Sequence, residues 1–148
     1  MIGAYAGRGR FAEYVDQRRQ SMVRQLPTDV ERRSPLSGAW RRAFLRAPRH
    51  LFVERIHSNG SVYRRTDRYW RHWLDLVYDE RQVTCLASML SDLDVADEHR
   101  VLLVGAGTGY ACAVLCERLS PARVKSVLVP REGLEPPTYC LEGSCSVH

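Results

Sequence analysis

The stretch VLLVGAGTGY, residues 101–110, decides the predicted fold. Its first four residues are all apolar and predict a short buried strand, because the strands of a parallel sheet are covered on both faces. Three glycines at alternate positions follow and form a turn without side chains, so that a ligand can approach the backbone. The apolar segment YACAVLCERL, residues 110–119, then predicts a helix packed against a sheet.

The flanking segments supply the remaining parts of a βαβ unit. Residues 82–94 carry apolar residues at helical spacing, and VKSVLV, residues 124–129, is a second strand candidate. The order helix, strand, glycine turn, helix, strand is the opening of a right-handed βαβ unit. We therefore predict an α/β fold that corresponds to the N-terminal part of a Rossmann-like domain.

The first half of the chain is predicted to be mostly helical or irregular. Apolar spacing predicts helices over residues 10–26 and 38–47, each ending before a proline. PRHLFV, residues 48–53, is predicted to be extended, and residues 57–70 to form a polar loop with a turn at Asn59-Gly60. The aromatic residues in and after that loop are predicted to cover a core rather than hold a ligand: Tyr63, Tyr69, Trp70 and Trp73.

Composition limits the class of protein. The 148 residues, of which 45% are hydrophobic and 26% charged, suit one soluble globular domain. No apolar run approaches the roughly eighteen residues that cross a bilayer, so no membrane association is expected. The N-terminus lacks the apolar core of a signal peptide, and we expect a cytoplasmic protein.

Five cysteines occur without a C-x-x-C pair: Cys85, Cys112, Cys116, Cys140 and Cys145. Cys112 and Cys116 would share a helix face, but zinc needs two further ligands at suitable spacing. We predict ordinary buried thiols and no metal site.

The basic residues are concentrated in the first half of the chain. Residues 1–73 hold sixteen arginines against six acidic residues, whereas residues 74–148 are net acidic. Of the 22 basic residues 21 are arginine, which is typical of GC-rich codon usage, and they are scattered rather than interleaved with aromatics along one helical stripe. Nucleic-acid binding is therefore disfavoured, although an Arg-rich binding module in residues 1–73 stays an alternative.

Two nucleotide-binding motifs can be excluded at the glycine turn. A P-loop requires Gly-Lys-Ser/Thr, but Thr108, Gly109 and Tyr110 follow Gly107. A dinucleotide fingerprint requires its third glycine at position 110, where Tyr110 stands. The actual G-x-G-x-G pattern suits a ligand without a pyrophosphate and resembles the S-adenosylmethionine site of class I methyltransferases.

Four blocks extend this resemblance over roughly residues 39–127. They occur in the order seen in the protein-L-isoaspartate O-methyltransferase family, and the actinobacterial branch is most similar. The resemblance implies that S-adenosyl-L-methionine methylates a protein or peptide carboxylate, that of isoaspartate. The blocks are AFLRAPRHLFV at 43–53, LVYDERQVT at 76–84, LASMLSDLDV at 86–95 and VLLVGAGTGYACAVL at 101–115.

The resemblance also implies the cofactor site. The helix that begins near Tyr110 would present its positive end to the methionine carboxylate, and Thr108 and Tyr110 would line the turn. Pro48, Arg49 and His50 match a block of the family that we interpret as structural, so His50 is not assigned as a base. The implied cofactor-binding residues are Gly105, Ala106, Gly107, Thr108, Gly109 and Tyr110.

The chain departs from the family at its substrate loop and its ribose partner. The family's serine-rich loop is missing after Thr84, and Ser88 and Ser91 in the following helix are poor replacements, so no catalytic residue can be named. Leu128 stands where an acidic residue normally binds the ribose hydroxyls, and Glu132 follows Pro130 too late to replace it.

The chain is expected to be a C-terminally truncated methyltransferase, because only two strands of a seven-stranded sheet precede its end. We divide it into an N-terminal segment at 1–73, the start of the cofactor domain at 74–127 and an aberrant, disordered tail at 128–148. Leu134-Glu135-Pro136 can be encoded as CTCGAACCC, the reverse complement of a transfer-RNA T-arm sequence, which suggests read-through into such a gene. The alternative is an inactive fragment of a disrupted gene.

Overall fold

The computed structural model describes residues 3–26, 36–66 and 68–127, with the side chains of residues 3–8 left aside. The predicted tail at 128–148 lies outside these ranges, and with it Leu128, Pro130, Glu132 and the thiols of Cys140 and Cys145. None of the helices in the described ranges is both long enough and apolar enough to cross a membrane.

Three helices and a hairpin make up the first half of the chain. The helices predicted over 10–26 and 38–47 are confirmed, and Ser37 caps the second by accepting a hydrogen bond from the Trp40 backbone N–H at 3.4 Å. A helix that starts at Trp70 was not predicted. The elements are α1 (Gly3–Gln25), α2 (Gly38–Arg46), a 3₁₀ turn (Arg49–Leu51), β1 (Arg55–Ser58), β2 (Ser61–Arg64) and α3 (Trp70–Val77).

The predicted extended segment at 48–53 is wrong. Residues 49–51 form a 3₁₀ turn, in which the Leu51 N–H donates to the Pro48 carbonyl at 3.0 Å. Pro48 precedes this turn with φ −78°, and a proline with fixed φ is as compatible with the start of a helical turn as with extended backbone.

The predicted polar loop at 57–70 is wrong at residues 57–58 and 61–64, which lie in strands, and at Trp70, which begins α3, whereas the predicted turn at Asn59-Gly60 is confirmed. β1 and β2 pair antiparallel from Arg55 opposite Arg64 to Ser58 opposite Ser61. The two residues between them have positive φ, 48° at Asn59 and 74° at Gly60. Asn-Gly is the preferred sequence for such a two-residue hairpin turn, so the signal was present in the sequence.

The second half of the chain follows the predicted order helix, strand, glycine turn, helix, strand. β3 and β4 pair in parallel, from Val101 opposite Val124 to Val104 opposite Val127. The described residues thus form a mixed helix and sheet structure with two separate two-stranded sheets. The elements are α4 (Arg81–Asp92), β3 (Val101–Val104), α5 (Tyr110–Leu119), a 3₁₀ turn (Pro121–Arg123) and β4 (Val124–Val127).

The β3–β4 sheet is covered on one face only, among the described residues. Leu102 and Val104 are each 62% exposed and Val127 is 49% exposed, whereas Val124 is buried beside α5. The prediction that β3 is a buried strand is therefore wrong for alternate positions. α5 shields one face, and no described element covers the other.

A single hydrophobic core connects both halves of the chain. It contains Met22 of α1, Phe44 of α2, Trp73 of α3 and Leu115 of α5, all nearly or fully inaccessible. The predicted core role is confirmed for Trp73 and wrong for Tyr69, which is 53% exposed. Because α2 packs directly against α5, the glycine turn is supported by residues of both halves.

The thiols differ in their environment. Cys112 and Cys116 are buried on α5, as predicted, but Cys85 on α4 is exposed. The prediction of a buried thiol is therefore wrong at Cys85. Helical spacing placed that residue on the solvent side of α4, while Val83 and Ala87 face the core.

Candidate functional site

The glycine turn, residues 105–109, joins the carboxyl end of β3 to the first residue of α5. Its three glycines have φ values of 77°, 58° and 87°, in the left-handed region that other residues rarely adopt. Gly109 also forms the N-terminal boundary of α5. The alternating glycines are therefore required by the backbone itself.

Backbone hydrogen bonds fix the turn at both ends. The Gly105 N–H donates to the Val127 carbonyl at 2.8 Å, which ties the turn to the end of β4. The Gly109 N–H donates to the Ala106 carbonyl at 2.9 Å, and the Gly109 carbonyl accepts from Ala113 at 3.0 Å. The turn is thus held at the carboxyl edge of two parallel strands, where open α/β sheets bind their ligands.

The glycines differ in what surrounds them. A Cβ atom at Gly107 would meet nothing within 4 Å, and Gly107 and Thr108 are exposed. A Cβ atom at Gly109 would lie 3.5 Å from Cδ1 of Phe52. Gly107 therefore presents open backbone to solvent, whereas Gly109 lies beside the Phe52 ring with room for an ordinary van der Waals contact.

Tyr110 lies below the turn, in the core. It is 2% exposed, and its ring packs against Phe44 and Phe52 with centroid distances of 6.3 and 6.1 Å. The Arg49 guanidinium lies 5.1 Å from the ring centroid. The Tyr110 hydroxyl is buried without a hydrogen-bond partner in the described ranges, and burial raises its pKa. The side chain of Tyr110 supports the turn from behind.

His50 forms a hydrogen-bonded pair with Tyr78. Nδ1 of His50 lies 2.8 Å from the Tyr78 hydroxyl. Burial raises the pKa of Tyr78 to about 12. Burial, and then the nearby charges of Arg19 and Arg65, lowers the pKa of His50. A neutral histidine paired with a buried tyrosine agrees with the structural role expected for the block at 48–50.

The amino end of α5 contributes electrostatics to the turn. The Tyr110 N–H is 3.5 Å from Oγ1 of Thr108, a long contact that leaves this end weakly capped. The positive end of the helix dipole therefore faces the same edge as the exposed backbone of Gly107. This arrangement suits a carboxylate or another small anionic group.

A second candidate site was missed by the sequence reasoning. Eight residues line a solvent-open cleft of about 890 Å³, which we name the arginine–aromatic cleft. Four are arginines and four carry rings, although along the chain these arginines are dispersed among others. Its lining residues are Arg10, Phe11, Arg65, Arg68, Tyr69, Trp70, Arg71 and His72.

No metal site is formed by the part of the chain that the structure describes: no group of three or more His, Cys, Asp or Glu residues there is placed to hold a metal ion.

Comparison of the chain with protein-family models, with curated proteins and with solved structures finds no match.

Proposed function

We propose that the glycine turn binds S-adenosylmethionine and that the chain is part of a methyltransferase of the protein-L-isoaspartate type, with a Rossmann-like cofactor domain. One observation carries the proposal. Three left-handed glycines lie between a parallel strand and a helix, with open backbone at Gly107. The blocks at residues 43–53, 76–84 and 86–95 add the resemblance to that family.

Methyl transfer from S-adenosylmethionine requires the protein mainly to align the carboxylate with the methyl group. When bound, S-adenosylmethionine would supply a methyl group activated by its sulfonium; this methyl would pass to an isoaspartate carboxylate oxygen, and the electron pair of the broken carbon–sulfur bond would stay on sulfur. Holding the two reactants in line can contribute a large part of such a rate enhancement. The turn would fix the amino-acid end of the cofactor, with the amino end of α5 facing its carboxylate.

The affinity for the cofactor should be low. The described part of β4 is Val124, Lys125, Ser126 and Val127, and none of these carries a carboxylate for the ribose hydroxyls. A missing charge-assisted hydrogen bond typically costs about 1.5–3 kcal/mol, or roughly ten- to hundredfold in affinity. The proposal therefore expects weak binding and no methyl transfer by this chain alone.

The alternative is an inactive fragment with no cofactor affinity. One face of the β3–β4 sheet is covered by no described element, which favours this alternative, since Leu102, Val104 and Val127 expose apolar side chains that parallel sheets normally bury. The two alternatives differ in whether the turn binds S-adenosylmethionine at all.

A matched pair of glycine substitutions separates them. Gly107→Ala and Gly60→Ala both place a methyl group in open space at a left-handed position, so their effects on folding should be similar, about 1–2 kcal/mol. Only Gly107 lies in the proposed site. Equilibrium dialysis with labelled S-adenosylmethionine should show weak binding that survives Gly60→Ala and is lost in Gly107→Ala.

Absence of binding in the unaltered chain would support the inactive fragment, whereas equal loss in both variants would contradict the assignment of the site to the glycine turn. A labelled-methyl assay with an isoaspartyl peptide completes the test. Turnover with low-micromolar binding would show that the chain suffices for activity and would contradict the weak-binding account.

A further inference from the structure

The arginine–aromatic cleft is built on a well-fixed junction of α1 and α3. Phe11 of α1 packs on Trp70 of α3 with ring centroids 5.3 Å apart, and Tyr14 meets the same ring edge-on at 5.8 Å. The Tyr14 hydroxyl donates to Oδ1 of Asp75 at 2.7 Å, and Nε of Arg18 lies 2.9 Å from the same oxygen. The walls of the cleft are therefore held together by packing and by an ion pair.

Two of the arginines stack on the rings of the cleft. The guanidinium of Arg68 lies 4.6 Å from the Tyr69 ring centroid and donates to the Tyr69 hydroxyl. The Arg71 guanidinium lies 5.3 Å from the Trp70 ring and 5.6 Å from the Tyr14 ring. Stacking orders a guanidinium in advance and leaves its N–H edge available to an anion.

The positive charge of the cleft is not neutralised within the described ranges. Ion pairs there engage Arg18, Arg19, Arg81 and Arg118, none of which lines the cleft. The lining arginines at 10, 65, 68 and 71 form no ion pair with a described residue. Asp67 is the one acidic residue between positions 63 and 72, against four arginines, and it lies outside the described residues.

The rings of the cleft are accessible as well as ordered. Tyr69 is 53% exposed, and His72 is exposed with its ring 4.6 Å from that of Tyr63. Trp70 and Phe11 are half-buried. The cleft thus offers flat apolar surfaces beside guanidinium groups on a surface that is open to solvent.

We propose that the arginine–aromatic cleft binds single-stranded nucleic acid. Phosphates would pair with arginines that form no ion pair with a described residue, and unpaired bases can stack on exposed rings and guanidinium planes. A duplex hides its base faces and would use only the charge. An acidic polypeptide would likewise leave the rings without a role. The scattered arginines along the chain disfavoured nucleic-acid binding, but folding brings Arg10 to the cluster at 65–72.

The test is fluorescence anisotropy with the full chain and a labelled oligothymidylate of about twelve nucleotides, a length within the usual site size. Tyr69→Ala should weaken binding about five- to hundredfold through lost stacking, whereas Tyr69→Phe, which keeps the ring, should stay near the original affinity. The double variant Arg68→Ala/Arg71→Ala should lose at least as much. Thermal unfolding of each variant establishes that the fold is retained.

Arg81→Ala removes one positive charge outside the cleft, where Arg81 is exposed and paired with Asp79, and is the control for the single cleft variant Arg71→Ala. It should bind almost as the original chain does. An equal loss in Arg81→Ala and in an arginine variant of the cleft would overturn the proposal in favour of nonspecific charge. Duplex binding as tight as single-strand binding, or equal competition by polyglutamate, would overturn it too. None of these outcomes depends on S-adenosylmethionine.

Discussion

The glycine turn and the arginine–aromatic cleft are two candidate sites of opposite construction. The turn consists of consecutive residues, and it presents backbone held in a conformation that glycine favours. The cleft joins α1 to a segment more than fifty positions away, and it presents side chains. A backbone site depends on a few glycines and tolerates changes around them, whereas a side-chain site can be altered one group at a time. The two sites should therefore respond to different substitutions.

The largest expected effect is the loss of stability, and with it of both ligand affinities, when the core that the two sites share is disrupted. Trp73 lies fully buried in α3, the helix whose first turn lines the cleft, and it belongs to the same core as Leu115 of α5. Trp73→Ala should lower the free energy of unfolding by about 3–5 kcal/mol, measured by urea denaturation. Both ligand affinities should fall together.

Trp73→Phe is the milder control for that change. It removes an indole N–H that has no hydrogen-bond partner in the described ranges, and it keeps most of the buried surface. Loss of one ligand affinity in Trp73→Ala, with the other unchanged in a folded protein, would contradict a common core.

Salt should separate the two sites next. Each phosphate contact on a single strand contributes about −0.7 to the slope of log affinity against log salt, so four arginines predict a slope of about −3. Raising salt from about 50 to 200 mM should then weaken oligonucleotide binding roughly fiftyfold. Binding of S-adenosylmethionine at the turn should change far less. A flat salt profile for the oligonucleotide would show that the arginines do not contact phosphates.

The glycine turn and the hairpin turn should tolerate a side chain about equally. Gly109→Ala places its methyl group 3.5 Å from Phe52, an ordinary van der Waals distance, and Gly60→Ala places its methyl group in open space. Both positions are left-handed, so the expected destabilisation is about 1–2 kcal/mol for each variant, by urea denaturation. A clearly larger loss at Gly109 would show that the start of α5 rejects a side chain for a reason beyond its left-handed backbone.

The smallest expected effect is the pH dependence of folding stability that His50 contributes. Burial lowers its folded-state pKa below the ordinary 6.5, so the unfolded chain binds more protons below that pH. The contribution that this pKa difference makes to folding stability is therefore fully present above about pH 6.5 and is lost as the pH falls through the folded-state pKa of His50. The His50→Gln variant should show a smaller decrease between pH 7 and pH 5, measured by thermal unfolding at each pH. An identical decrease would show that His50 stays equally solvated in both states.

The sequence predicts the glycine turn better than the arginine–aromatic cleft, and the reason is physical. The βαβ order and the span of α5 were predicted, because glycine spacing and apolar runs are local signals. The hairpin turn at Asn59-Gly60 was equally local, but its polar flanks concealed the strands. Arginine spacing along the chain could not reveal the cleft, because Arg10 reaches it only through the packing of Phe11 on Trp70.

The burial of individual residues in β3 could not be predicted from the sequence either. A continuously apolar strand implies burial on both faces, yet Leu102 and Val104 are exposed among the described residues. Whether an apolar residue is covered depends on the elements packed against it, and the composition of the strand itself does not determine this.

Amide chemical shifts measured during a titration with S-adenosylmethionine test the central claim most directly. The account predicts that the signals of residues 105–110 and the first turn of α5 shift in a saturable, weak manner, while those of residues 65–72 stay in place. Gly107→Ala should abolish these shifts, and Gly60→Ala should preserve them. Shifts confined to the cleft, or no shifts at the turn at millimolar cofactor, would contradict the assignment of the glycine turn as the cofactor site.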